Sequence, residues 1–185
     1  MSKKHNIIFL DIDGPVIPTV YLTQHPDNCN TIYPGDWRLK DSMHYYRFDE
    51  RFIMLWDNLN QTRTFKTVIS STWGKHYPES WMFVDLFKVN GLDIDLHDDW
   101  VTRDHAMLGR SNTRATEIHE WLEKHKEDTN DFLILDDEDS GHSLCHPVKD
   151  HIYLNTSFIE VSMDDGLSYT NIRHIKYLTE SWKDV

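Results

Sequence analysis

Cysteine is almost missing. Cys29 and Cys145 are the only two in 185 residues, too few for a disulfide framework and in keeping with reduced thiols in a cytosol. Long apolar runs are missing too. No stretch approaches the roughly 18 residues of a membrane helix. The run Ile7–Leu10 is too short for the core of a secretory signal, and Asp11 ends it. These absences predict a cytoplasmic chain with no membrane partner. Basic charge is scarce: 19 Lys and Arg stand against 31 Asp and Glu, a formal net charge of -12. Proteins that hold nucleic acid along its length show a basic face, so a long duplex is disfavoured as a partner. A mononucleotide or a strand end stays compatible, because one local basic pocket can overcome a repulsive net field. Repeats, low-complexity tracts and linkers are also absent, and the length fits a single domain over residues 1–185.

What is present is a hydrophobic content of 39%, enough for a real core. Ile7–Leu10, Phe65–Ser70, Phe132–Leu135 and Phe158–Val161 read as short buried strands, with Ile152–Leu154 as a further candidate. Helical spacing lies between them. Phe52, Leu55, Trp56 and Leu59 follow Asp49 as a cap. Phe83, Leu86 and Phe87 follow Pro78 and stop at Asn90-Gly91. Ala115, Ile118, Trp121 and Leu122 follow Ser111–Thr113. Ile172, Ile175 and Leu178 follow Thr170–Asn171. This alternation predicts an α/β, Rossmann-like three-layer fold with a parallel sheet. Residues 15–47 are irregular and rich in proline, asparagine and aromatics. A loop this long in a small domain is usually functional, and it is expected to form a small inserted lid.

In a parallel sheet, ligands sit beyond the carboxyl ends of the strands. The first strand ends in Asp11-Ile-Asp13-Gly14, the second in Ser70-Ser71-Thr72 and the third in Asp136-Asp137, and a helix starting near Arg114 leads into the third. Acid-rich strand ends are common singly. In this order, each on the right kind of element, they make a strong signal for phosphoryl chemistry. Asp139, His142, His146 and His151 match no closed zinc spacing, and Cys145 adds little.

The run Ile7-Ile-Phe-Leu-Asp-Ile-Asp-Gly14 resembles the first motif of the haloacid dehalogenase superfamily, an apolar strand followed by Asp-x-Asp-Gly. Ser70 resembles its second motif, Arg114 its third, and Leu133-Ile-Leu-Asp-Asp137 its fourth. Asp165-Gly-Leu167 ahead of a helix resembles the usual ending. Val68-Ile-Ser-Ser-Thr-Trp73 is most similar to the small phosphatase domains of RNA-repair proteins and related phage and bacterial enzymes. That group often has Arg after the Trp. Here Gly74 and Lys75 follow, and Lys75 is a candidate for the missing charge.

The resemblance implies a phosphatase. Asp11 would be the nucleophile and Asp13 the general acid and base. Magnesium would be held by Asp11, the Asp13 carbonyl, Asp136 and Asp137; which of the last two is the direct ligand stays open. Ser70, favoured over Ser71, would donate to a phosphoryl oxygen near Gly14. Arg114 would neutralise the transferring group, with Arg103, Arg110 and Lys75 as competitors. Trp73 would stack on a substrate ring or pack under the lid. These types suit the reaction, since a carboxylate attacking a phosphate dianion needs a cation between them. The implied substrate is a nucleotide or another small phosphorylated metabolite. A polynucleotide end-healing phosphatase and a catalytically silent phospho-ligand-binding module are the alternatives. A carbon–halogen hydrolase is disfavoured, because an acid at Asp13 serves phosphate esters rather than halides.

Overall fold

Successive side chains of a strand face opposite sides of its sheet, and the first strand here is apolar on both. The computed structural model describes residues 4–24, 31–32, 44–75, 77–102, 114–137, 154 and 156–183. In it this strand is β1 (His5–Leu10). Ile8 and Leu10 enter one core, Ile7 and Phe9 another. A strand buried on both faces belongs at the centre of a parallel sheet covered on both sides, and that is where β1 lies.

The described elements are, in chain order, β1, α1 (Thr19–Gln24), β2 (Thr31–Ile32), β3 (His44–Tyr45), α2 (Glu50–Thr62), β4 (Lys66–Ile69), α3 (Ser80–Val89), β5 (Leu96–Val101), α4 (Arg114–Lys124), β6 (Thr129–Asp136), β7 (Phe158–Glu160) and α5 (Tyr169–Leu178), with short 3-10 turns at Thr72–Lys75 and Glu180–Trp182. The main sheet has the order β5-β4-β1-β6-β7, and all its pairings are parallel. The chain winds outward from β1 to β4 and β5, then returns to β6 and β7 on the other side. Such a reversal opens a crevice at the carboxyl ends of the central strands.

The first core joins Ile8, Leu10, Ile69, Leu133 and Leu135 of the sheet to α2, α3 and α5. Its aromatic centre is Phe52 stacked on Trp56 at 5.2 Å, with Phe48 edge-on to Phe87 at 5.0 Å. The second core joins Ile7, Phe9, Val68 and Ile134 to Ala115, Ile118, Trp121 and Leu122 of α4. One apolar stripe per helix therefore closes each face, and the three expected layers result. Asp49 caps α2 as anticipated, accepting from Arg51 N at 2.7 Å.

Four local readings change. Strand β5, Leu96-His-Asp-Asp-Trp-Val101, has no apolar run; as an edge strand it is only partly buried and needs none. Helix α5 is capped by Ser168, whose side chain forms a reciprocal box with Asn171, so it begins before Thr170. Of the candidate strand at 152–154, Ile152 and Tyr153 lie outside the described residues, and Leu154 is helical and buried in the second core. Val16 and Ile17, at the start of the 15–47 segment, are core residues, and residues 25–30 and 33–43 lie outside the described ones. Among the described residues no helix is long and apolar enough to cross a membrane.

Phe9 is fully buried, edge-on to Trp121 at 5.2 Å and to Phe132 at 6.3 Å. Phe9→Ala should lower the unfolding free energy by about 3–5 kcal/mol. Met54→Ala, at a position 74% exposed, should change it by less than about 0.5 kcal/mol. Urea titration of both variants checks this, and similar midpoints would refute the second core.

Candidate functional site

The backbone ladder decides which side chains meet. Leu10 of β1 is level with Ile69 of β4 and Leu135 of β6. The next residue of each strand follows the same pattern: Ser70 N donates to Leu10 O at 2.9 Å, and Asp11 N donates to Leu135 O at 2.9 Å. One strand further, Val161 N donates to Asp136 O at 3.0 Å. Asp11, Ser70 and Asp136 thus leave the sheet at one level, with Asp137 just beyond. Exposure is 3% for Asp11, 5% for Asp136, 2% for Asp137 and 1% for Ser70.

Carboxylate oxygens of Asp11, Asp136 and Asp137 all lie within 4.8 Å of one another. Ser70 Oγ beside them has no hydrogen-bond partner among the described residues, and Asp136 Oδ2 accepts no hydrogen bond there. A hard cation with oxygen ligands fits this donor set, since it would satisfy the carboxylates and offset their repulsion. The side chain of Asp13 lies outside the group. It turns to Trp73, whose indole Nε1 donates to Asp13 Oδ2 at 3.0 Å.

Gly14 lets the chain turn between these acids. Its φ is 81°, a left-handed conformation that suits glycine. A Cβ there would come within 2.9 Å of the Asp137 Cβ, so Gly14 also makes room for that acid. The turn closes on itself through Val16 N and Ile17 N, which donate to Ile12 O at 3.1 and 3.0 Å.

Arg114 opens α4 and faces Asp136 Oδ2 with its Nε at 3.4 Å. Glu117, one helical turn on, holds the same guanidinium at 3.8 Å. Of its competitors, Arg103, Arg110 and the Lys75 side chain lie outside the described residues. The Ser71 hydroxyl, not that of Ser70, lies close enough to the Asp11 carboxyl to lower its pKa. Asp11 is further fixed by Ile12 N, which donates to its Oδ1 at 2.9 Å. Trp73 stacks on Tyr77 at 5.4 Å and 9°, and Tyr46 meets it at 5.0 Å. Glu117 and Tyr77 escaped the sequence reading, which placed Tyr46 only among the aromatics of residues 15–47; the i, i+3 spacing of Arg114 and Glu117 was the one signal offered.

Electrostatics follow from this packing. Burial raises the Asp11 carboxyl above its ordinary 3.8, opposed by the Arg114 charge, the nearby Ser71 hydroxyl and the hydrogen bond from Ile12 N. Asp136 is raised well above 3.8, by burial first and the Asp11 charge second. Asp13 is raised by burial and then by Asp11, while the Trp73 N–H and Arg114 pull it down.

Residues 7–172 match the family described as the HAD domain in Swiss Army Knife RNA repair proteins. The chain belongs to this family. No curated protein and no solved structure gives a significant match. Membership in this haloacid dehalogenase-type family implies phosphohydrolase activity, and such domains are generally metal-dependent. The buried acidic group is where this HAD domain could hold its metal.

Without metal, the raised carboxyls keep protons that the unfolded chain has already released. Their contribution to stability is therefore full below about pH 3.8 and is lost as pH rises through the folded values. In EDTA these two carboxyls should make the melting temperature fall as pH rises above about 4. Asp136→Asn removes the group raised most and should flatten that slope. Parallel slopes for the two proteins, read by thermal unfolding, would refute this account.

Proposed function

We propose that the chain is a magnesium-dependent phosphomonoesterase that works through an aspartyl-phosphate on Asp11. The observation behind this reading is the split between two acids in one turn. Asp11 lies with Asp136 and Asp137, while Asp13 is turned aside onto Trp73. One carboxyl is thus placed for a cation and for attack, the other for proton transfer.

In the first step an Asp11 oxygen attacks phosphorus, the bond to the ester oxygen breaks, and Asp13 gives that oxygen its proton. The raised Asp13 carboxyl suits this role, since it holds a proton to higher pH. In the second step Asp13 takes a proton from water, the water oxygen attacks phosphorus, and the Asp11–phosphate bond breaks. Ser70 Oγ would donate to a phosphoryl oxygen, and Arg114 would balance the charge that builds on the transferring group. Ser71 would hold Asp11 in its attacking orientation. Asp11, Asp136, Asp137 and the Asp13 carbonyl would hold magnesium, which when bound screens the nucleophile from the phosphate charge and polarises a phosphoryl oxygen. An all-oxygen donor set favours magnesium over zinc or copper.

The substrate in this reading is a nucleotide or another small phosphorylated metabolite. A second reading is the phosphate at a polynucleotide end, and the family's description as a domain of RNA repair proteins favours it. The net charge of -12 opposes contact with a long duplex in either case. A silent phospho-ligand-binding module is disfavoured by the retention of both acids, Asp11 and Asp13.

EDTA should abolish hydrolysis of an aryl phosphate, and magnesium should restore it. Asp11→Asn should lower turnover by several orders of magnitude. Asp13→Asn should cost an alkyl phosphate about 10²–10⁴-fold and an aryl phosphate with a good leaving group far less. Steady-state kinetics on both esters reads this, and an active Asp11→Asn would end the aspartyl-phosphate reading. A panel of nucleotides and of 3'- and 5'-phosphorylated oligonucleotides separates the substrate classes.

The lid over residues 15–47 is part of the same proposal, with Val16 and Ile17 now belonging to the core. Replacing residues 25–43 by a short Gly-Ser loop should shift preference among natural substrates more than it slows an aryl phosphate. Equal losses on all substrates would argue for a structural segment instead.

A further inference from the structure

We infer that Trp73 is a positioning residue for the general acid: its indole N–H holds the Asp13 carboxyl and leaves Oδ1 as the oxygen that carries the transferable proton. This rests on the role of Asp13 proposed above. The indole Nε1 lies 3.0 Å from Asp13 Oδ2. An indole N–H can only donate, so Oδ2 accepts whether the carboxyl is charged or neutral. In a neutral carboxyl the carbonyl oxygen is the better acceptor, so the proton is directed to Oδ1. Without this bond, no hydrogen bond among the described residues distinguishes the two oxygens of this partly buried carboxyl.

The donor is itself held. Trp73 lies in the 3-10 turn Thr72–Lys75 that follows β4. Its amide donates to Ser71 Oγ at 3.3 Å, and its carbonyl accepts from Tyr77 N at 2.9 Å. Its ring stacks on Tyr77, which packs on Phe83 of α3 at 5.3 Å. The indole is thereby tied into the first core and engaged by rings of its own chain. The residues that follow β4 reach both acids: the Ser71 hydroxyl lies beside Asp11, and Trp73 donates to Asp13. The β1–β4 register sets the reach of both.

Trp73→Phe keeps a ring for the Tyr77 stack and deletes the donor. Rates on an aryl phosphate with a good leaving group and on an alkyl phosphate with a poor one then separate positioning from general damage. The alkyl ester should lose about 10-fold or more in kcat relative to the aryl ester, with little change in either KM. In an Asp13→Asn background the same substitution should add no further discrimination. Equal losses on both esters, or a selective loss that persists without Asp13, would overturn the inference. Wild type inactive on both esters would instead sink the phosphatase reading. A second readout does not need Trp73→Phe to fold. Of the seven tryptophans, one indole N–H resonance should shift strongly in Asp13→Ala, and no shift would overturn the assignment.

Discussion

Mutual repulsion among Asp11, Asp136 and Asp137 is the constraint that the surrounding structure must meet. Their oxygens lie within 4.8 Å of one another and away from water, where like charges are costly. Nothing in the three side chains favours this meeting. It is imposed by the parallel ladder, which holds β1 against β6 over the whole of Ile7–Leu10 and carries the acids out at one level. The two apolar cores on either face supply the stability that such a site consumes. Arg114 offsets part of the repulsion. It is held in turn by Glu117 and by a helix whose Trp121 locks onto Phe9 at the centre of the sheet.

The same turn gives Asp11 and Asp13 different surroundings although they are two residues apart. Ile12 between them is fully buried and anchors the turn in the first core. Asp11 keeps company with acids and with the Ser71 hydroxyl; Asp13 keeps company with an indole and partial solvent. Division of labour between two carboxyls requires such an asymmetry. Here it arises from the residues after β4 rather than from the Asp-x-Asp-Gly run itself. The partner strand's turn therefore shapes the chemistry of the first.

What could be read from sequence was what periodicity and strand ends encode. The central strands, the four long helices and the acids at Asp11, Asp13, Asp136 and Asp137 all lie on strong local patterns. Strand β5 did not, because a partly buried edge strand tolerates acids such as Asp98 and Asp99. Asp99 is used there: Lys124 and His125 at the end of α4 pair with it at 2.6 and 2.8 Å. Pairings between distant segments were equally hidden. That Trp73 donates to Asp13 across sixty positions, or that Ser71 rather than Ser70 meets Asp11, depends on strand register. Register is a tertiary property that composition and spacing do not carry.

The acidity of the chain and an anionic substrate are compatible on the proposed reading, because the two act over different distances. A net charge of -12 acts on a ligand still in solvent, where salt screens it beyond about 8 Å. Within the site the fields are set by neighbours, namely Arg114, the proposed cation and the hydroxyl of Ser70, acting where water is largely excluded. A ligand that offers one terminal phosphate can place it inside that short range while the rest of it stays small or leads away. On the proposed reading, a ligand whose phosphates run along the surface would meet a net-acidic chain and would gain from Arg114 at one phosphate only. On the proposed reading, charge would therefore favour a monoester at an end, whether that end belongs to a nucleotide or to a strand.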